Sequence, residues 1–224
     1  MADTGSDLDA GSELTDHPVE RVVLDDGAWV DVIRGWARDP SGVYEAIEEA
    51  VPWRPSTVFR YDRSVEEPRL GSWWRVGDPV PHPIVVEAHR ALQRRYRLRF
   101  DGCGLAYYRD GRDSVAFHRD RDLQWLDDTV IALLVLGERR PFLLRPRTNR
   151  YAHHLDAGGA TYDLSPAGGD LLVMGGACQA RWEHSVPKLT RRAGGRISLQ
   201  WRWTSRRGRQ ERGGSYSKPR LYSG

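Results

Sequence analysis

Phe117-His118-Arg119-Asp120, answered 64 residues beyond the aspartate by Trp182-Glu183-His184, is the stretch on which the reading of this chain turns. His118 and Asp120 are spaced i, i+2, which on a strand puts both side chains on one face. Two imidazoles and a carboxylate are the facial set that ferrous iron takes, leaving open positions for a co-substrate and oxygen. The tripeptide alone is a weak signal. It sharpens with Arg196 and Arg202, 12 and 18 residues after His184, in the run Arg196-Ile197-Ser198-Leu199-Gln200-Trp201-Arg202. Even spacing again places both guanidinium groups on one strand face, with Ser198 and Gln200 between them. A buried arginine is costly unless an anion pairs with it, and a dicarboxylic co-substrate such as 2-oxoglutarate would supply that anion bidentately. Taken singly, His118 and Asp120 also suit an exposed hydrogen-bonded pair, and His184 a satisfied core histidine. The order His, Asp, His and then two in-register arginines favours the metal reading.

Working outward, 224 residues suffice for one well-cored domain, and nine tryptophans and nine tyrosines provide large apolar bodies for it. No apolar stretch reaches the length of a membrane span, and Met1–Glu20 is acidic rather than cationic and apolar, so neither a span nor a secretory signal is expected. Cys103 and Cys178 make no disulfide framework and read as reduced thiols of a cytoplasmic protein. Cys178 could act as a soft ligand, but the His/Asp set already completes an oxygen-activating site. The net charge of +3 is unevenly spread. Residues 1–20 carry Asp3, Asp7, Asp9, Glu13, Asp16 and Glu20 with no basic residue, and read as a disordered acidic leader. Residues 206–224 carry Arg206, Arg207, Arg209, Arg212, Lys218 and Arg220 against Glu211 alone. That tail suits a flexible polyanion-binding arm or an inert solvated end.

Between these ends, residues 21–205 read as one domain. Val22–Arg34 looks like a strand and turn, and Pro40–Val51 like a short helix capped by Asp39 or Ser41. Residues 53–83 are rich in Arg, Pro, Gly and Trp without clean periodicity, which suits a functional lid. Ile84–Tyr96 has the apolar spacing of an amphipathic helix. Strands dominate from Arg99: about eight are expected, including Val115–Asp120, the apolar run Val130–Leu136, Arg181–Val186 and Arg196–Thr204. The fold class is α+β, mainly β: a double-stranded β-helix, or jelly roll, with supporting N-terminal helices. His153-His154 could pass for a metal pair, but adjacent strand residues face opposite ways, and a solvated loop is the simpler reading.

Several motifs in order then resemble the AlkB-type family of iron- and 2-oxoglutarate-dependent nucleic-acid dealkylases, over roughly Pro68 to Thr204. They are Pro68-Arg69-Leu70 before an aromatic pair, Tyr107-Tyr108-Arg109-Asp110-Gly111, and Asp113 through Asp122 around the first two ligands. Gly169-Asp170-Leu171-Leu172-Val173-Met174-Gly175-Gly176, Gln179 through Lys188, and the Arg196–Arg202 strand complete the set. The resemblance implies that His118, Asp120 and His184 bind Fe(II). It implies that Arg196 pairs with the distal carboxylate of 2-oxoglutarate, Arg202 serves the carboxylate near the metal, and Tyr108 hydrogen-bonds the co-substrate, with Ser198 on the same face. Asp122 matches the acidic residue that faces a damaged base, and Arg69, Trp73 and Trp74 fall in the family's nucleotide-recognition lid.

The implied activity is oxidative dealkylation of N-alkylated bases of the N1-methyladenine and N3-methylcytosine kind in DNA, with RNA as an extension. It consumes 2-oxoglutarate and O2 and releases succinate and formaldehyde. A monomer with no membrane partner is expected. Hydroxylation of a protein side chain or small metabolite on the same scaffold is the alternative, which needs neither Asp122 nor the basic, aromatic lid. The chain departs from the family at Ala106, where Asn is usual and one hydrogen bond, about 1 kcal/mol, is missing. Leu123 stands where Glu often follows, and Ser198 and Gln200 where Asn and Thr are usual.

Overall fold

The run Val130-Ile131-Ala132-Leu133-Leu134-Val135-Leu136 lies at the heart of the protein. Side chains on a strand alternate between faces: Val130, Ala132, Leu134 and Leu136 join one core, Ile131 and Leu133 a second. A strand buried on both faces has no place for polar residues, so its sequence is apolar throughout.

The computed structural model describes residues 12–60, 63–120, 123, 126–147 and 161–205. In chain order β1 (Glu20–Asp25) and β2 (Ala28–Ile33) precede α1 (Pro40–Ala50). Next come β3 (Arg54–Arg60), β4 (Arg63–Arg75) and α2 (Pro83–Tyr96). The strands β5 (Gly102–Tyr108), β6 (Val115–His118), β7 (Thr129–Gly137), β8 (Leu143–Pro146), β9 (Tyr162–Asp163) and β10 (Leu171–Gly176) follow. A short helix α3 (Cys178–Arg181) then leads into β11 (Trp182–Val186), and β12 (Arg196–Thr204) ends the series.

The strands form two antiparallel sheets, one of eight strands in the order β1-β2-β10-β7-β12-β5-β4-β3 and one of four in the order β6-β11-β8-β9. Between the sheets lies a core in which Ala106, Ile131, Leu133, Leu172 and Met174 meet Leu144, Trp182 and Val186. Two facing antiparallel sheets closed over such a core are a jelly roll. The other face of the large sheet is covered by α1 and α2, through Val43, Ile47, Ile84, Val85, Ala88 and Leu92. Each helix starts where its sequence dictates. The Asp39 carboxylate accepts the Gly42 N–H at 3.0 Å and His82 Nδ1 accepts the Ile84 N–H at 3.2 Å. A proline follows each cap, at a position whose missing N–H costs nothing.

Four sequence expectations are corrected. Twelve strands stand among the described residues rather than about eight. Residues 53–83 are not irregular throughout: β3 and β4 pair with each other, and β4 continues the large sheet by pairing with β5. Pro68 and Gly71 interrupt the apolar alternation of β4, which hides it from a periodicity reading. Residues 12–20, expected within a disordered leader, have fixed contacts: Leu14 is buried and bridges Ala37, and the Ser12 hydroxyl bonds Glu87. Helix α3 was not expected, since four residues are too few to display a helical period. Residues 148–160, with His153-His154, and the basic tail 206–224 lie outside the described residues.

One buried cation holds the ends of the smaller sheet together. Arg140 is fully buried and donates to the carbonyls of Asp110, Asp113 and Pro187, each at 2.8 Å. The first two lie before β6 and the third follows β11, so Arg140 ties the two strands that carry the histidines. Arg140→Met would strand these buried carbonyls, and a loss of at least about 3 kcal/mol is expected. Urea denaturation measures this directly, and a loss below about 1 kcal/mol would show that the clamp is dispensable.

Candidate metal centre

Strands β6 and β11 run antiparallel with His118 directly opposite His184. Their rings lie 4.2 Å apart between centroids, tilted by 53°. The strand ends at His118, so the i, i+2 spacing does not by itself deliver Asp120 to the same face. Two other residues do. The Asp120 N–H donates to Gln179 Oε1 at 2.9 Å, and Asp120 Oδ2 accepts from Arg202 Nε at 2.5 Å. Oδ1 then stands 3.7 Å from His118 Nε2, and one ligand atom from each of His118, Asp120 and His184 lies within 4.8 Å of the others. His118 Nδ1 sits 2.9 Å from the Ala116 carbonyl. That contact suits an Nδ1–H donor and leaves Nε2 free to ligate. Phe142 stacks on His184 at 5.7 Å and fixes the second ring.

The protonation states suit a cation. Burial lowers the His184 pKa to about 3, with His118 adding to the effect, and burial lowers His118 too. Both imidazoles are therefore neutral with lone pairs available. Burial alone would raise the Asp120 carboxyl, but Arg202 and the two histidines outweigh it and hold the group below the usual carboxylate range. A carboxylate beside two neutral imidazoles is a donor set that fits ferrous iron.

The inner face of β12 adds the second half of the site. Arg196 is buried, and its Nε, Nη1 and Nη2 have no hydrogen-bond partner among the described residues. Burial pulls its pKa down to about 10. Its cross-strand neighbour is Tyr108, whose ring centroid lies 5.4 Å from the guanidinium. An unpaired guanidinium in the interior fits a bound carboxylate, the anion expected of 2-oxoglutarate. Ser198 stands opposite Ala106 on the same face, where the side chain usual at position 106 is missing. Arg202 is engaged with Asp120 and with Gln200, so here it orients a ligand.

The expected base-recognition residues divide. Trp73, 38% exposed, lies opposite Gly104. A Cβ on Gly104 would fall 3.1 Å from the Trp73 ring and 3.2 Å from the Arg202 guanidinium, so this glycine lets the indole approach the arginine beside the metal ligands. Trp74 points the other way and is corrected to a core residue. It is buried on the helix side, edge-on to His89, and its Nε1 donates to the Asp78 carbonyl at 3.2 Å. Trp53 likewise packs on Tyr107 at 5.1 Å. Arg69 also departs from expectation, turning its guanidinium inward to donate to the Tyr108 hydroxyl at 3.1 Å and to pair with Glu67 at 3.3 Å. Asp122 lies outside the described residues. Leu123, where the family often has Glu, is buried in the inter-sheet core.

Sequence reasoning missed Gln179, Phe142 and Arg140. Gln179 lies inside a quoted motif, but nothing in its spacing links it to Asp120, 59 residues earlier.

Two histidines on the smaller sheet of a jelly roll and a carboxylate just past its edge, with an unpaired buried arginine on the facing sheet, fit a non-haem iron oxygenase. The family model described as the 2OG-Fe(II) oxygenase superfamily matches residues 45–202, and the chain belongs to that superfamily. Its relatives are of the AlkB type. It is 30% identical over 180 residues to the alpha-ketoglutarate-dependent dioxygenase alkB homolog 3 of Bos taurus, covering 74% of this chain and 62% of that one. With the human protein of the same name it shares 29% over 204 residues, covering 84% of this chain and 68% of the relative. With the DNA oxidative demethylase ALKBH2 of Arabidopsis thaliana it shares 26% over 195 residues, covering 71% and 60%. The chain thus spans about two thirds of the length of the curated relatives it matches. In fold it is similar to a Trichoplax adhaerens prolyl hydroxylase, with a TM-score of 0.57 at 13% identity, covering 78% of this chain and 83% of that one. Superfamily membership carries Fe(II), 2-oxoglutarate and O2 as cofactor and co-substrates.

Gln179→Leu removes the acceptor that holds the Asp120 backbone while leaving every ligand in place. Loss of such an outer contact typically weakens metal binding about 10-fold or more. Titrating the metal-free protein with Mn(II) as a redox-stable surrogate checks this, and unchanged affinity would mean that Arg202 alone positions Asp120.

Proposed function

We propose that this chain is an Fe(II)/2-oxoglutarate-dependent dioxygenase that removes N-alkyl groups from bases of DNA, and of RNA by extension. The observation that carries the co-substrate half is Arg196, a buried guanidinium awaiting a carboxylate in register with Tyr108. The names of the relatives, alkB homolog 3 and DNA oxidative demethylase, support the substrate half. The sequence supports a monomeric, cytoplasmic protein with no membrane partner.

In this reading His118, Asp120 and His184 hold iron, and Gln179 and Arg202 hold Asp120. Arg196 binds the far carboxylate of 2-oxoglutarate, with Tyr108 beside it and Arg69 on the Tyr108 hydroxyl. Iron held there would supply oxygen activation coupled to decarboxylation of the co-substrate, and with it the oxygen atom that hydroxylates an N-alkyl carbon. The hemiaminal so formed gives up its C–N bond, the base recovers the electron pair, and formaldehyde leaves. A target atom hidden in a duplex must be flipped out or presented in a single strand, and Trp73 at the mouth offers an aromatic face on which such a base can stack. Asp122, on sequence grounds, is assigned to the exocyclic amino group of a base made cationic by alkylation.

Formaldehyde release from oligonucleotides bearing N1-methyladenine or N3-methylcytosine, dependent on both Fe(II) and 2-oxoglutarate, is the direct test. Release only with peptide or small-metabolite substrates would establish the alternative hydroxylase. Within the same assay, Arg196→Ala should raise the 2-oxoglutarate requirement far more than Arg196→Lys, because lysine keeps the charge but not the planar fork. Equal effects would make Arg196 a structural residue.

A further inference from the structure

Helix α2 and the residues just after it gather five exposed arginines in one place, whereas many exposed arginines elsewhere among the described residues are paired. Arg21, Arg34, Arg109, Arg145, Arg181 and Arg191 each pair with a carboxylate within 3.3 Å. Arg90, Arg94, Arg95, Arg97 and Arg99 are exposed, and none has a side-chain hydrogen bond or ion pair among the described residues. Arg90 and Arg94 stand one helical turn apart, an arrangement that disfavours the helix by about 0.2–0.5 kcal/mol. The acid on that face, Glu87, is engaged by the Ser12 hydroxyl and by the Glu13 N–H at 3.0 Å.

These side chains border two open clefts. Arg90 and Arg94 form the ridge between them. One cleft, about 670 Å³, is closed by Val76, His89, Arg99 and one acid, Asp101, outnumbered by Arg90, Arg94 and Arg99, and the other, about 590 Å³, by Val80 and Pro83. His89 is buried and its Nδ1 has no partner. Val76 and Val80 are 62% and 45% exposed, leaving apolar surface beside the cations.

The first cleft sits at the metal end of the large sheet. The Val76 N–H donates to the Asp101 carbonyl at 3.1 Å, next to the start of β5. Gly104, where Trp73 and Arg202 meet, is three residues beyond Asp101, about 10 Å along the strand. Arg75 and Val76, both exposed, occupy the surface between. Stacked nucleotides rise about 3.4 Å each along a strand, so roughly three nucleotides span that gap.

We propose that the outer face of α2 and the loop after it form a phosphate-binding track for the single strand flanking the base held at the metal centre. The proposal rests on the dealkylase reading for its occupant. Arg90, Arg94 and Arg99 hold successive phosphates, while Arg75 and Val76 carry the strand round the sheet end from Trp73.

The test is the salt dependence of binding to an undamaged, labelled single strand of about 15 nucleotides, a length within the span of such grooves, read by fluorescence anisotropy. Replacing Arg90, Arg94 and Arg99 together by Ala should lower the log–log slope by about 2, at about 0.7 per phosphate contact. Replacing the same three by Lys should keep it, because the charges remain. Turnover of a trinucleotide methylated at its central base, which leaves one flanking nucleotide on each side and so falls short of the cleft, should stay within about twofold of wild type in both variants, and thermal melting should report an intact fold. An unchanged slope in the Ala variant overturns the track, as does an equal loss in the Lys variant. A matching loss on the trinucleotide overturns it too, by placing the effect at the metal centre. If the wild-type enzyme turns over no methylated nucleic acid, the dealkylase reading falls, and the slope alone decides the track.

Discussion

A guanidinium in a protein interior with no anion beside it is a constraint that the surrounding structure must absorb. Arg196 meets this description, at the start of a strand whose neighbours on both sides belong to the same eight-stranded sheet. Desolvation opposes its charge, and its pKa falls accordingly. Such a site is stable because β12 is anchored elsewhere. Ile197, Leu199 and Trp201, on the opposite face, are wholly buried under the helices. The alternation of one strand thus supplies both the core that holds the sheet and the polar row that faces the metal.

The metal end repeats the same logic with a second cation. Arg202 is six residues further on and faces the same way, but its charge is answered by Asp120. One strand therefore carries an unanswered arginine at its start and an answered one beside the candidate metal centre. The histidines come from the facing sheet, where register brings His118 and His184 opposite each other. Arg140 fixes that register from outside by gathering the carbonyls at the strand ends. Burial keeps the imidazoles neutral, and Arg202 keeps the Asp120 carboxylate ionised against the same burial.

Much of this was legible from residue order. The extents of β12 and α2 follow from even spacing along the strand and apolar spacing along the helix, since those signals are local. The ligand triad and Arg196 were legible because a few chemically unusual residues recur in a fixed order. The β3–β4 hairpin was not, because Pro68, Gly71 and a dense run of arginines break the period that marks a strand. The partition of Trp73 and Trp74 depended on which face of β4 meets α2, which the dipeptide does not specify. Gln179 carries no signal at all in one sequence, since a buried glutamine that accepts a backbone N–H looks like any other polar residue in a turn.

By itself the sequence determined the jelly-roll class, singled out the three residues that the fold brings together as a candidate metal set, and marked the strand that carries two arginines on one face. Each of these rests on side-chain chemistry or on a period of two, which chain order preserves. Only the tertiary structure decided that Asp120 is held by Gln179 and Arg202, that Arg69 turns inward to Tyr108, and that the arginines of α2 stand unpaired near the metal end. Those outcomes depend on contacts between residues far apart in the chain, and sheet register and the packing of helix on sheet choose such partners.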